Sequence, residues 1–198
     1  VHEAREMRVL SIAAVLALFA CATFAHADAR STMEYFCPAD TPAPAWKKQC
    51  FDGPPSKQRV TVFISPAGQD SGRPGNFYIG LRTDGNVRGL FDGSQWVGTE
   101  GGLFPPAATV QDLNTQSFVV IQDFLICGMA GYGKHELWAG YGALDAEKEA
   151  LVENYHRAAN PNHTPQYMRQ VYMQNDMTRG EKAWNVLKFD CEKFVDTP

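Results

Sequence analysis

Hydrophobic and polar positions alternate with a period of two over several segments, which is typical of half-buried β-strands. Residues 60–64 (VTVFI) form a dense run of β-branched and aromatic side chains, followed by a loop rich in Gly and Pro. Residues 77–82 and 87–91 repeat the apolar alternation, and Asp84-Gly85-Asn86 between them tolerates positive φ. The pattern therefore predicts a strand, a long turn and a β-hairpin.

Two further strands are predicted at residues 117–126 and 135–143, paired as a hairpin across the glycine-rich turn at 128–133. The composition changes at Asp145, which can cap a helix that begins at residue 146. Residues 164–179 fit either a second helix, opened by a Thr-Pro pair, or a strand paired with a later strand. The pattern leaves these two interpretations open.

The order of these elements lacks the βαβ alternation of a parallel sheet. It predicts a mainly β fold, an antiparallel β-sandwich-like domain with one or two C-terminal helices, and an α+β organisation is the alternative. One β-rich domain is predicted over 58–198, with helical additions at about 146–179. The preceding interval, 28–57, is rich in Pro and Ala and is predicted to be an irregular leader pinned by its own disulfide.

The start of the chain has the pattern of an export signal. Met7-Arg8 precede an apolar run at 9–19, which is too short to span a bilayer, and Ala25-His26-Ala27 has the small-x-small pattern of a cleavage site. We predict a signal peptide over 1–27 and a periplasmic or secreted protein without membrane insertion after signal removal. A lipoprotein attached through Cys21 is the alternative.

Four cysteines remain after the predicted signal: Cys37, Cys50, Cys127 and Cys191. An even number in an exported chain favours two disulfides over reactive thiols, and four cysteines allow three pairings. We favour Cys37 with Cys50 and Cys127 with Cys191. A metal site is the competing interpretation, but the chain has no Cys-x-x-Cys pair. We therefore predict no metal and no cofactor.

Composition excludes several classes of protein. With 44% hydrophobic and 20% charged residues, the chain is expected to fold rather than to remain disordered. A net charge of −4 disfavours nucleic acid as a partner.

Candidate chemistry is sparse along the chain. The Gly-x-Ser-x-Gly motif of serine hydrolases is absent, and His135 and Glu136 are neighbours on a predicted strand, where their side chains point to opposite faces. A secreted hydrolase with a site built from scattered acids and His135 is therefore only the alternative function. Aromatic residues in or beside glycine-rich turns are better candidates for binding: Trp96, Tyr132, Trp138 and Tyr141.

Flat rings in such turns can stack on a sugar or anchor a protein partner. Trp138 and Tyr141 also fit the core of a sandwich, which is the ordinary interpretation of aromatic residues on a strand. The sequence thus predicts an exported, non-catalytic binding or accessory module for a protein or glycan partner.

Short motifs rich in Gly, Pro and aromatic residues follow one another along the chain: residues 65–75 (SPAGQDSGRPG), 77–80 (FYIG), 95–97 (QWV), 103–105 (LFP) and 137–142 (LWAGYG). In this order they resemble a pattern of poorly characterised bacterial secreted and surface proteins, in which a Ser-Pro-x-Asp-x-Gly turn precedes a strand and a Tyr-x-Gly-Tyr-Gly strand closes the unit. This chain has two extra residues before Asp70 and a tryptophan, Trp138, where the pattern has tyrosine. The resemblance implies an extracellular β-rich module and assigns no catalytic residue.

Overall fold

Nine strands and three helices occupy the residues that the computed structural model describes, which are 26–36, 57–99, 102–124, 126–157 and 164–191. The strands are β1 (Asp28–Phe36), β2 (Lys57–Ser65), β3 (Gly75–Thr83), β4 (Asn86–Phe91), β5 (Trp96–Val97), β6 (Ala108–Val110), β7 (Gln116–Phe124), β8 (Lys134–Ala143) and β9 (Ala183–Asp190). The helices are α1 (Ile126–Ala130), α2 (Ala146–Arg157) and α3 (Pro165–Arg179). The fold is mainly β with two longer helices near the C-terminus, which confirms the predicted fold class.

The strands form two sheets with antiparallel pairing throughout. A three-stranded sheet has the order β1-β2-β7, and a six-stranded sheet has the order β5-β4-β3-β8-β9, with β6 added to β3. The predicted hairpin is confirmed as β3 and β4, joined by Asp84 at φ 50° and Gly85 at φ 80°. The side chain of Ser31 in β1 donates to the carbonyl of Val186 in β9 at 2.7 Å, which joins the two sheets along one side.

The main core lies between the two sheets. Alternate residues of each strand point inward, as the period-two pattern of residues 60–64 predicts. The fully buried side chains of this core come from β2, β3 and β8: Val60, Val62, Ile64, Phe77, Ile79, Leu137, Ala139 and Tyr141. Burial of each large apolar side chain contributes about 1.5–3 kcal/mol, so this layer supplies most of the driving force for folding.

Helix α3 covers the outer face of the six-stranded sheet and makes the third layer of the fold. Its Met177 packs with Tyr78, Leu90 and Trp138 from the sheet. The helix lies so close to β8 that a Cβ atom on Gly142 would be 1.8 Å from the Met173 carbonyl oxygen. Only glycine fits at that position, so the sequence of β8 sets how near the helix approaches.

The predicted irregular leader is wrong in its first part, because Asp28–Phe36 form β1. The prolines of this interval begin only at Pro38, and exposure alternates along the strand from residue 28 to residue 34. This alternation lets β1 pair with β2, from Asp28 opposite Ser65 to Phe36 opposite Lys57. The remainder of the leader lies outside the described residues.

The hairpin predicted between the strands at 117–126 and 135–143 is also wrong. β7 pairs with β2 in the three-stranded sheet, whereas β8 pairs with β3 and β9 in the other sheet. The connection contains α1, which carries the chain from one sheet to the other. Residues 164–179, for which the sequence left a helix and a strand open, form α3 from Pro165 onward.

The sulfur atoms of Cys127 in α1 and Cys191 after β9 lie 2.06 Å apart, which is the distance of a disulfide. The favoured pairing of these two cysteines is confirmed. Cys37, Cys50 and all but the last two residues of the predicted signal peptide lie outside the described residues. Within the described parts of the chain, none of the helices combines the length and the apolar character needed to cross a membrane.

Candidate binding site

Two of the predicted binding residues are buried. Trp138 lies beneath α3 on the outer face of the six-stranded sheet, where its ring contacts Phe104 with centroids 5.9 Å apart. Tyr141 points to the opposite face of β8, into the core between the sheets. The core interpretation therefore describes both side chains, and neither presents its ring to a ligand in this structure.

The other two predicted residues are at the surface. The indole N–H of Trp96 donates to the Val120 carbonyl of β7 at 2.8 Å, and its ring packs against Phe91 with centroids 5.8 Å apart. Trp96 thereby covers the edge strand β7 and lines a hollow of about 210 Å³ beside Met129. Tyr132 is 67% exposed. Since Trp138 and Tyr141 lie on opposite faces of one strand, the four predicted aromatic residues do not form one site.

His135 is only 1% exposed, and both ring nitrogens have partners. Its Nδ1 lies 2.9 Å from Thr83 Oγ1, and its Nε2 lies 3.1 Å from the Gly131 carbonyl oxygen. Because a carbonyl only accepts hydrogen bonds, Nε2 donates to the Gly131 oxygen, and in the neutral ring the Thr83 hydroxyl donates to Nδ1. The ring also stacks on Phe189 at 5.0 Å. The hydrogen-bond partners of His135 are thus a hydroxyl and a carbonyl, and neither is an acid.

A cavity of about 420 Å³ lies where α2 and α3 meet the end of the six-stranded sheet, and we call it the helix–sheet cleft. Its lining mixes aliphatic side chains with amides, one hydroxyl and one pair of opposite charges. The lining residues are Pro74, Asn76, Pro106, Thr109, Val110, Gln111, Leu144, Glu149, Gln166, Arg169, Gln170 and Met173. This volume lies within the range of ligand-binding pockets.

Three glutamines one helical turn apart follow one side of α3, namely Gln166, Gln170 and Gln174, which we call the glutamine row. Gln174 Oε1 accepts the backbone N–H of Phe104 at 2.6 Å, and Gln170 Nε2 donates to the Phe104 carbonyl at 2.9 Å. Two members of the row therefore hold one backbone unit of the loop before β6. The four-residue spacing of these glutamines is visible in the sequence, but it defines a row only if residues 164–179 form a helix, which the sequence pattern leaves open.

The sheet side of the cleft is held by a chain of hydrogen bonds. Thr109 Oγ1 donates to Asn76 Oδ1 at 2.8 Å, and Asn76 Nδ2 donates to the Tyr78 hydroxyl at 3.1 Å. Asn76 and Tyr78 are both buried, so these bonds satisfy polar atoms that would otherwise be costly to bury. These hydrogen bonds fix the side-chain amide of Asn76, so the sheet side of the cleft has little conformational freedom.

The charges in the cleft neutralise one another. Arg169 Nε of α3 lies 2.9 Å from each carboxylate oxygen of Glu149 in α2, and Arg169 Nη2 also contacts this carboxylate. Hydrogen bonding from Arg169 favours the ionised carboxylate and lowers the pKa of Glu149 below its ordinary value. The pair ties the two helices together, and the described residues that line the cleft carry no net charge.

Behind the cleft, Asp70, Tyr141, Asp176 and Lys182 form a network that we call the ionic cluster. Lys182 Nζ lies 2.8 Å from Asp70 Oδ2 and 2.7 Å from Asp176 Oδ2, and the Tyr141 hydroxyl donates to Asp70 Oδ2 at 2.7 Å. Burial raises the pKa of Tyr141, and its bond to Asp70 adds to the rise. Burial opposes the charge of Lys182, but its hydrogen bonds to Asp176 and Asp70 outweigh this effect and raise its pKa.

The ionic cluster fixes two residues that line the cleft. Asp176 Oδ2 accepts the backbone N–H of Ala143 at 2.8 Å, and the next residue, Leu144, donates its N–H to the Pro74 carbonyl at 2.8 Å. Pro74 follows the turn that carries Asp70. Leu144 and Pro74 are therefore positioned by the cluster.

Among the residues that the structure describes, no group of three or more His, Cys, Asp or Glu side chains is arranged to hold a metal ion. No family model, no curated protein and no solved structure matches this chain. Function is therefore inferred from the site alone.

Tyr78, which hydrogen-bonds Asn76 behind the cleft lining, gives the stability of the protein a measurable dependence on pH. Burial raises its pKa from 10.0 to about 12, against a smaller opposing effect of the bond from Asn76. Because the pKa is higher in the folded state, the stabilisation that neutral Tyr78 contributes is fully present below about pH 10, the pKa of a tyrosine in the unfolded chain. It is lost as the pH rises towards the pKa of the folded state. We expect Tyr78 to account for a loss on the order of 2 kcal/mol between about pH 10 and pH 12.

Urea denaturation across this pH range, with tyrosinate absorbance followed in parallel, measures the effect. The Tyr78→Phe variant is expected to lose less stability than the wild type over the same range. Tyr132→Phe is the matched control, because Tyr132 is exposed, and its profile is expected to follow that of the wild type. Identical profiles for all three proteins would contradict the assignment to Tyr78.

Proposed function

We propose that this protein is an exported, non-catalytic binding module and that the helix–sheet cleft is its binding site, with a protein or a glycan as the partner. The observation that carries the proposal is the cleft itself: a cavity of about 420 Å³ in which amide and hydroxyl groups converge on aliphatic surface. The hydrogen-bond donors and acceptors of the cleft give specificity for a ligand, and the aliphatic surface gives affinity.

The charged groups of the cleft support binding over catalysis. A hydrolase needs an acid or base that exchanges a proton with its substrate. Glu149 and Arg169 form charge-assisted hydrogen bonds with each other, and this ion pair keeps the Glu149 carboxylate ionised. His135, the candidate of the hydrolase alternative, is buried among non-acidic partners and does not line the cleft.

The disulfide supports the predicted export. Disulfides persist in oxidising compartments such as the periplasm and the extracellular space, and the pair formed by Cys127 and Cys191 suits such a compartment. The export signal expected at residues 1–27 and the resemblance to bacterial secreted and surface proteins agree with this location. A periplasmic or secreted location accordingly forms part of the proposal.

Ligand arrays test the proposal directly. The exported protein is applied in parallel to a peptide array and a glycan array, together with the variants Gln111→Trp and Gln122→Trp. Gln111 lines the cleft, so a bulky indole at that position is expected to fill it and abolish binding. Gln122 is exposed on β7 in the other sheet, so the same change there is expected to leave binding intact.

Two results would overturn the proposal. One is an equal array signal for the wild type and Gln111→Trp on every ligand, which would place binding outside the cleft. The other is cleavage of the arrayed peptides or glycans by the purified protein with loss of activity in His135→Ala, which would favour the hydrolase.

A further inference from the structure

The glutamine row already binds a stretch of backbone within this chain. Gln174 takes the N–H of Phe104 and Gln170 takes its carbonyl, so both polar groups of one residue face α3. In an extended chain the N–H and C=O of a residue point to the same side, as they do along the edge of a β-strand. The row therefore contacts this loop in the manner of a neighbouring strand, with amide side chains in place of a backbone.

The glutamine row extends one helical turn beyond Gln170, to Gln166. Since Gln174 and Gln170 take the N–H and the C=O of one residue, Phe104, the next backbone group on that side of an extended chain is the N–H of residue 106. The chain runs from Gln174 towards Gln166 but leaves the row at Pro106, which has no N–H to offer. Ala107 then donates its N–H to Phe77 in the sheet, at 2.8 Å.

The last member of the row is left without the backbone that the other two hold. Gln166 lines the cleft, and its side-chain amide has no hydrogen-bond partner among the described residues. Gln111, which also lines the cleft, likewise has no side-chain partner within the described part of the chain. Two amides that each offer a donor and an acceptor thus line the space beyond the point where the loop turns away.

We propose that the helix–sheet cleft binds an extended, uncharged peptide segment of a protein partner, whose backbone groups are taken up by Gln166 and Gln111. This inference rests on the proposed binding function and names its ligand. The segment lies along the glutamine row beyond Pro106 and extends the contact that Phe104 makes with Gln170 and Gln174. Its small apolar side chains contact Leu144 and Met173, which line the same cavity.

The lining favours a peptide over a glycan. Sugar rings are commonly held by stacking on aromatic faces, and the described residues that line the cleft include none. The described lining also has no net charge to attract an acidic or a basic segment, because its two charged residues, Glu149 and Arg169, have opposite signs. An uncharged segment has the additional advantage that it loses little hydration when it enters a neutral site.

Fluorescence anisotropy with the full exported protein and fluorescein-labelled, uncharged decapeptides tests the inference. The peptide chosen is the tightest binder of the peptide array, and a second version carries N-methyl groups on alternate backbone nitrogens. Gln166→Leu is expected to raise Kd roughly 5- to 10-fold, the effect of one or two lost hydrogen bonds, while Gln122→Leu leaves Kd unchanged. Alternate backbone nitrogens can be methylated in two ways, at the odd or at the even positions of the peptide. One of these two methylated peptides is expected to show a rise in Kd at least as large.

The outcomes distinguish failure of this inference from failure of the proposed binding function. Equal affinity for methylated peptides in both registers, or equal Kd for the wild type and Gln166→Leu, would overturn backbone recognition. Binding that Gln111→Trp abolishes but that is found only on the glycan array would overturn the peptide inference and leave the binding function standing. If Gln111→Trp weakens the binding of no ligand, both the peptide inference and the proposed binding function of the cleft are overturned.

Discussion

Replacement of Lys182 by methionine is expected to lower the free energy of unfolding by about 3–5 kcal/mol, the usual effect of removing one partner of a buried ion pair. The ammonium lies 2.8 Å from Asp70 and 2.7 Å from Asp176, and the Lys182 side chain is only 15% exposed. Without it, the buried carboxylate of Asp70 keeps the Tyr141 hydroxyl and the half-exposed Arg73, whose Nη1 lies 3.5 Å away. The loss therefore comes mainly from replacing a close, buried ion pair of Asp70 by a longer and more exposed one.

A matched lysine and a double variant distinguish this cause from a general effect of losing a lysine. Lys188 pairs with Glu136 at 3.0 Å but is 70% exposed, so Lys188→Met is expected to lose about 1 kcal/mol or less. The change Asp70→Asn removes the buried charge and keeps an acceptor for Tyr141, so it is expected to restore part of the stability lost in Lys182→Met. Urea denaturation of the wild type, Lys182→Met, Asp70→Asn and the double variant gives the coupling energy between Lys182 and Asp70. Additive losses of stability would contradict the role of Lys182 in the ionic cluster.

The same substitution links stability to the proposed site. The ionic cluster holds Ala143 and, through the adjacent Leu144, the carbonyl of Pro74. Leu144 and Pro74 line the cleft, so a relaxed cluster alters the shape of the cavity. A folded Lys182→Met protein is accordingly expected to bind its ligand more weakly than the Lys188→Met control does, although Lys182 itself does not line the cleft.

Local signals in the sequence located the elements that local chemistry determines. The Asp-Gly turn between β3 and β4 and the Asp145 cap of α2, whose carboxylate accepts the Lys148 N–H at 2.7 Å, follow from short-range rules. Thr164 caps α3 in the same way by accepting the Tyr167 N–H at 3.1 Å. That signal was present, but the β-branched and aromatic residues in the middle of the helix also fitted a strand.

Long-range pairing was beyond those rules. The short connection between β7 and β8 suggested a hairpin, yet the two strands belong to different sheets, because each finds its partner far away in the chain. The average proline content of residues 28–57 predicts an irregular segment, but its first nine residues contain no proline and form β1. The candidate site depends on the same kind of contact, since Glu149 meets Arg169 and Asp70 meets Lys182 only after the layers have packed.

The aromatic residues beside glycines do not mark a site, for a related reason. Rings beside glycines suggested exposed binding faces, but at Gly80 the absence of a side chain makes room for the indole of Trp138, which would lie 2.4 Å from an added Cβ. Glycine here serves close packing rather than exposure. The row of amides on α3 was a weaker compositional signal, and its meaning depends on the Phe104 loop that packs against it.

Removal of the Cys127–Cys191 bridge is expected to lower the free energy of unfolding by about 4 kcal/mol, because the bridge closes a long loop and restricts the unfolded chain. The two cysteines are 64 residues apart in sequence. They join α1, which carries the chain between the sheets, to the end of β9, where the Cys191 N–H donates to the Gly133 carbonyl at 2.9 Å. The bridge thus fixes the crossover that the strand pattern alone failed to predict.

The double variant Cys127→Ala/Cys191→Ala isolates this bridge better than a reductant does, because a reductant acts on every disulfide of the exported protein. Urea denaturation under oxidising conditions measures the difference from the wild type, and the single variant Cys127→Ala reports the cost of the lost side chain together with a free thiol. When both proteins are strongly reduced, the wild type is expected to approach the double variant. Equal stability of the oxidised wild type and the double variant would show that packing of the two sheets holds the crossover without the bridge. In that case the sulfur pair would contribute nothing to the fold on which the cleft depends.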